Sequence, residues 1–232
     1  PDLDDYWIKN FLTNASKDFS GITATFFMNR ADFSVSGLHS FYMSCPLASA
    51  CETPLFILDS SQTENIKEKF HAWWRQSPHK KNNQFCYNAS YVFKLIFGSF
   101  DDDIVEYFLT WLDNSDEDDL FFIGIILSEA DNHFVFKHSD FVVKYLEFND
   151  RLSDHTYFEQ AFNSLLASAA LGMKGGVVGE PFPRDKELLE LSSEILKMIP
   201  EHSIAHQFYE KLQKTAEESI KNYSISDYII NV

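Results

Sequence analysis

The sequence predicts an all-α fold of stacked antiparallel helical hairpins, with irregular or short β elements confined to its first 60 residues. Three observations carry this. The stretch Ile66–Ser77 returns 38 positions later as Ile104–Ser115, with Ile, Glu, Phe, Trp and Ser at the same places. Within the first copy Ile66, Phe70, Trp73 and Trp74 fall at i, i+4, i+7 and i+8, one face of a helix. Finally, 8 Gly and 7 Pro are few for an all-β chain, which must turn about every ten residues. A helix that buries one face and recurs at this period completes its core only against its neighbours.

Taken in order, Asp4–Ser16 is predicted as a first helix, its acidic start preceding Tyr6, Trp7, Ile8, Phe11 and Leu12. Ile22–Asn29 is compatible with helix or strand. Leu38–Ala50 reads as a helix weakened at Pro46, and Pro54–Asp59 as a strand leading into a cap at Ser60–Thr63. The pattern clears from Ile66. Helix Ile66–Gln76 ends in the Pro-containing polar turn Ser77–Asn83, and Phe85–Phe100 is its partner. Asp101–Asp103 cap the second copy, whose loop Asn114–Asp119 leads to Leu120–Ala130, a buried helix apolar almost all round.

A third, diverged copy sets Phe141, Val142, Tyr145, Leu146 and Phe148 37 residues after Ile104, Val105, Phe108, Leu109 and Trp111. Thr156–Leu171 is its partner helix. After Gly172–Pro183, helices at Lys186–Ile199 and Ser203–Tyr223 close the last hairpin, with Ser203 as a cap. The chain therefore divides as a single helical-repeat domain, 1–232. Residues 1–65 hold irregular N-terminal hairpins, 66–171 three repeat hairpins, 172–185 a glycine/proline loop, 186–223 a C-terminal hairpin and 224–232 a tail. Phe70, Trp73, Phe108 and Trp111 are expected in the core. Over residues 66–171, hairpins of this length resemble HEAT-like repeats, without the usual proline in the first helix or a regular Asp/Arg ladder. The resemblance implies a curved α-solenoid that binds other macromolecules along one face.

The formal charge of −16 opposes phosphate backbones, so direct nucleic-acid binding is not expected. No apolar run reaches the roughly 18 residues of a membrane span. Cys45, Cys51 and Cys86 cannot all pair within one chain, which favours buried thiols in a reducing, cytoplasmic setting. Asn14, Asn88 and Asn222 each begin a glycosylation-type triplet. The chain starts at Pro1, consistent with a trimmed product or part of a longer protein.

Two stretches are the candidate partner-binding residues. Met173, Lys174, Gly175 and Gly176 belong to a glycine loop whose amides and lysine suit an anion or a moving contact, although the P-loop ending is missing. Asp116, Glu117, Asp118 and Asp119 belong to an acidic loop that lacks the glycine of a calcium loop and sits where a helix start favours carboxylates. His202, His206 and Glu210 have helical metal-ligand spacing, but Ser203 as a cap would leave His202 outside the helix. Leu55–Thr63 resembles the first motif of haloacid-dehalogenase-type phosphatases, with Asp59 at the nucleophile position and Ser61 where a second Asp is expected. Arg75, His79, Lys80 and Lys81 form the one basic cluster, a phosphate contact or a solvated turn. No catalytic set is complete, and no metal or cofactor is implied. The expected function is a non-enzymatic, protein-binding helical-repeat module. The alternatives are an acidic inhibitor or immunity-type protein that covers a basic nucleic-acid-binding surface, and a small-molecule or phosphate-processing enzyme.

Overall fold

The computed structural model describes residues 6–35, 55–98, 102–128, 130–131, 133–152, 155–170 and 180–230. Among them there are helices and no strands. In order they are α1 (Tyr6–Asp18), α2 (Ser20–Val35), α3 (Ser60–Gln76), α4 (Asn83–Phe97), α5 (Asp102–Leu112), α6 (Glu117–Leu127), α7 (Phe134–Lys137), α8 (Ser139–Leu152), α9 (His155–Ala170), α10 (Pro183–Leu196) and α11 (Ile204–Ile230). Two compact units, Pro1–Tyr107 and Phe108–Val232, meet within α5. Ile22–Asn29 is helical, inside α2. Leu55–Asp59 runs extended without forming a strand, its first amide donating to the Leu95 carbonyl (2.9 Å). The helix expected over Leu38–Ala50 lies outside the described residues.

Short polar side chains start the helices, the α3 cap being Asp59, one residue ahead of the expected Ser60–Thr63. Asp59 accepts the Gln62 amide (2.8 Å) while the Gln62 side chain accepts the Asp59 amide (3.0 Å). This reciprocal pair satisfies two amides that a helix start leaves open. Asn82 caps α4 by accepting from the Phe85 amide. Gly98 ends that helix at φ 72°, a conformation that glycine adopts without steric cost. Pro183 occupies the first turn of α10, where its missing N–H costs nothing.

In the first unit, aromatic side chains join α3 to α4. Trp74 stacks on Phe85 at 5.8 Å, and Phe70 meets Phe93 edge-on at 5.6 Å. A polar set ties α2 to the same pair. The Trp73 indole N–H donates to Asp32 (2.7 Å), the Ser77 hydroxyl donates to the other Asp32 oxygen, and the Asn88 amide donates to Ser34. Asn88, the middle glycosylation-type asparagine, is thereby buried between helices. Cys86 is a buried thiol.

In the second unit Trp111 stacks on Phe122 at 6.1 Å, and Phe141 touches Phe108, Phe134 and Tyr145. The α6 helix is buried almost all round, as its composition predicts. At Gly124 an added Cβ would lie 2.7 Å from the Tyr145 hydroxyl and 3.8 Å from the Ala161 Cα. The absent side chain lets α6, α8 and α9 close up. Tyr145 donates to the Leu120 carbonyl (3.0 Å) and Tyr209 to the Val135 carbonyl. Burial pushes both phenols well above the usual tyrosine range, with the Asp140 charge adding to the rise at Tyr209.

The repeat is visible in burial. Ile66 and Ile104, Phe70 and Phe108, and Lys67 and Val105 are buried in both copies. The buried Lys67 ammonium donates to Glu64 (2.8 Å) and to the Asp103 carbonyl (3.3 Å). The third copy buries Phe141, Val142, Tyr145 and Leu146. One expectation shifts by a residue. Trp73, the sequence match of Trp111, is only half-buried, whereas Trp74 is fully buried. Trp74 on Phe85 and Trp111 on Phe122 are related by 37 residues, not 38. The indole that stacks on the partner helix is the second of the pair Trp73–Trp74, while Asp32 draws the first outward.

Candidate functional site

The residues singled out from sequence are not brought together among the described residues. Asp116 and Asp119 form the capping box of α6. The Asp116 side chain accepts the Asp119 amide (2.9 Å), and the Asp119 side chain accepts the Asp116 amide (3.1 Å). Asp119 is buried, so both carboxylates serve the helix start. Glu117 is exposed and Asp118 half-buried in the first turn, where the helix dipole favours them. Met173, Lys174, Gly175 and Gly176 lie outside the described residues. Asp59, the position of the phosphatase-like nucleophile, has its carboxylate engaged as the α3 cap. Ser203 accepts the His206 amide (3.0 Å), which places His202 ahead of α11 rather than on one face with His206. No group of three His, Cys, Asp or Glu side chains with metal-holding geometry occurs among the described residues. In the basic cluster Arg75 donates to His71 (3.2 Å), and the Lys80 carbonyl accepts from the Cys86 thiol.

An open groove of about 650 Å³ runs along α10 in the second unit, lined by His133, Phe136, Ala169, Arg184, Lys186 and Glu187 among others. Arg184 donates to the Ala169 carbonyl (2.9 Å), so its guanidinium closes the end of α9. His133 and Glu187 stand 3.9 Å apart, both exposed. Arg184 and Lys186 are balanced by Glu187 and Glu190 in the lining. The groove therefore offers neither a single sign of charge nor a buried acid–base pair.

The surface feature that sequence reading missed lies on α1 and α2. Phe11, Phe19, Ile22, Phe26 and Phe33 are all exposed, Ile22 at 71%. On the opposite side of α2, Thr23, Ala24, Phe27, Met28 and Ala31 are buried. Arg30 sits over the Phe26 ring at 5.7 Å, and the Lys69 ammonium reaches the Gly21 carbonyl (3.5 Å). Isolated exposed apolar residues are ordinary, but five large ones over α1, the junction and α2 are not. The signal was present in sequence: α2 is apolar on two faces at once, which blurs the periodicity that separates helix from strand.

The chain matches no protein-family model, no curated protein and no solved structure. No helix among the described residues is long and apolar enough to cross a membrane.

Proposed function

We propose that the chain is a non-enzymatic, protein-binding helical module, organised as HEAT-like hairpins and working in the reducing cytoplasm. One observation carries this reading. Of the nine large hydrophobic side chains exposed among the described residues, eight lie in the first unit, five of them on α1 and α2 or the junction between them. Large aromatics on an uncovered helix face lower free energy when another protein removes them from water, by about 1.5–3 kcal/mol for each side chain fully buried. The test is quantitative affinity capture from the native host with the parent chain and a Phe19→Ser/Phe26→Ser/Phe33→Ser variant. A partner retained by the parent and lost by the variant supports the reading. A partner set that the triple change leaves untouched defeats it.

The acidic-inhibitor reading has its own support. The second unit carries 22 Asp and Glu against 10 Lys and Arg, a net −12, while the first carries 13 against 9, a net −4. An interaction made by the second unit would be charge-driven and would weaken steeply with added salt. One made by the aromatic face would not, so salt dependence of the captured complex separates the two.

A further inference from the structure

One carboxylate holds the ends of α2 and α3 together. The Ser77 hydroxyl donates to one Asp32 oxygen (3.3 Å), and the Trp73 indole N–H donates to the other (2.7 Å). Ser77 Oγ also accepts the His79 amide (3.2 Å). Asp32 lies near the C-terminal end of α2, and Ser77 is the residue that ends α3. The contact between these helix ends therefore turns on a serine hydroxyl that can donate.

The chain around that hydroxyl reads Ser77-Pro78-His79-Lys80-Lys81. Pro78 and Lys81 are exposed, while Ser77, His79 and Lys80 are half-buried. Ser77 stands at φ −64° and ψ 129°, the extended conformation that a following proline imposes. Pro78 also brings no N–H that an enclosing groove would have to satisfy. The only other hydroxyl residue directly before a proline is Thr53, and Leu55 and Phe56 follow it rather than cations. A proline just past a helix end is an ordinary stop signal. What sets this one apart is that the hydroxyl before it is bonded to a carboxylate of another helix.

We propose that Ser77 is a phosphorylation site, and that its phosphate releases the end of α2 from α3. The enzyme is a kinase that takes proline directly after the acceptor and a cation three residues on. Ser77 Oγ attacks the terminal phosphorus of the kinase's nucleoside triphosphate, the bond from that phosphorus to the bridging oxygen breaks, and the diphosphate leaves. The hydroxyl proton passes to the kinase's catalytic carboxylate. The product has lost the O–H that donated to Asp32 and carries most of two negative charges at neutral pH. It also stands at the C-terminal end of α3, where the helix dipole disfavours an anion. Like charges at hydrogen-bond distance drive the Asp32 carboxylate away, and its bond to Trp73 is strained or lost with it. The cations nearest in sequence, Arg75, Lys80 and Lys81, favour the phosphate staying with the turn rather than with α2. The inference goes beyond the protein-binding reading and does not depend on it.

The test incubates the folded full chain with a proline-directed protein kinase and ATP, and locates the phosphate by mass spectrometry. Phosphate appears at Ser77, is absent from that peptide in Ser77→Ala, and is mostly lost in Pro78→Ala. Should Pro78→Ala lower the melting temperature, the parent and Ser77→Ala carry the site test alone. Amide hydrogen exchange in residues 31–35 and 73–76 rises about tenfold or more on phosphorylation, the size of one lost charge-assisted hydrogen bond. In Asp32→Asn that exchange is already raised and phosphorylation adds little, because a neutral amide is not repelled. No phosphate at Ser77, or phosphate added only to the urea-unfolded chain, overturns the site. Exchange that phosphorylation leaves unmoved, or raises equally in the parent and in Asp32→Asn, overturns the release.

Discussion

The two units solve the same packing problem with different surfaces. Both bury a Phe and a Trp along a helix and stack the indole on a phenyl ring of the next one, Trp74 on Phe85 in the first and Trp111 on Phe122 in the second. The first unit then leaves Phe11, Phe19, Ile22, Phe26, Phe33, Ile57, Tyr87 and Tyr91 exposed, whereas Met198 is the only exposed large hydrophobic described in the second. The second carries most of the negative charge instead. A packed interior leaves the outer surface free to vary, and here it has varied towards apolar contact in one unit and charge in the other. The interiors use the same devices. Buried tyrosines donate to main-chain carbonyls in both, Tyr107 to Lys67 in the first and Tyr145 to Leu120 and Tyr209 to Val135 in the second. Side-chain pairs join helices in both, around Asp32 in the first and through Ser219–Asp185 in the second.

The sharpest way to break the equivalence of the ladders is to truncate their stacked indoles. Trp74→Ala and Trp111→Ala are each expected to cost about 3–5 kcal/mol, read as the shift in urea midpoint. Trp73→Ala, which removes a half-buried ring and its bond to Asp32, should cost less than Trp74→Ala. The reverse order would restore the 38-residue register against the 37-residue one. Next in size is Gly124→Ala. A methyl group 2.7 Å from the Tyr145 hydroxyl must push that ring off the Leu120 carbonyl, an overpacking cost of about 1–3 kcal/mol. Tyr145→Phe/Gly124→Ala should recover part of it, and no recovery would show that α9, through Ala161, is the obstacle.

Much of this interior was legible in the sequence. Ile66, Phe70, Ile104, Phe108 and Tyr145 are large, apolar or aromatic, and periodic, so hydrophobic spacing alone places them inside. The Ser203 cap was readable because such a residue has a local job at a helix start. Asp59, Asn82 and Asp116 instead cap helices from positions that read as a phosphatase-like motif, a turn and an acidic loop. The Trp73/Trp74 choice was not, since two adjacent indoles satisfy the same pattern and the deciding group, Asp32, lies 41 residues away. The outer face of α2 was obscured for a different reason. Periodicity finds one apolar face against one polar face, and α2 has two apolar faces bordered by Thr25 and Arg30. The acidic loop attracted attention as a cluster, yet half of it is a capping box.

Alkaline pH should act first on the second unit. Tyr145 and Tyr209 both have folded-state values raised above the ordinary tyrosine value of about 10. Their neutral hydroxyls therefore contribute fully below about pH 10, and that contribution is lost as pH rises above it, because the unfolded chain releases those protons first. Unfolding free energy should fall on going from about pH 9 to pH 11. Hydrogen exchange should rise in α6, α8 and α11. Tyr145→Phe/Tyr209→Phe should be less stable at neutral pH, having lost two hydrogen bonds of about 1 kcal/mol each, but show a shallower alkaline decline. An unchanged slope would mean that other groups govern it.

The smallest expected effect on stability separates a surface kept for contact from one that supports the fold. Phe26 is 45% exposed and meets Phe27 edge-on and Arg30 across its face. Phe33 is more exposed still. Surface substitutions away from caps and networks usually change stability by no more than about 0.5 kcal/mol, and Ser costs little extra in a helix compared with Phe. Phe33→Ser and Phe26→Ser should therefore each lower the urea midpoint only slightly. Both should raise the salt concentration at which the chain precipitates, since they remove apolar surface from water. If Phe33→Ser instead costs as much as Gly124→Ala, the ring is packed within the chain itself. The contrast between an apolar outer face in the first unit and a charged one in the second would then reduce to a difference in how each core is closed.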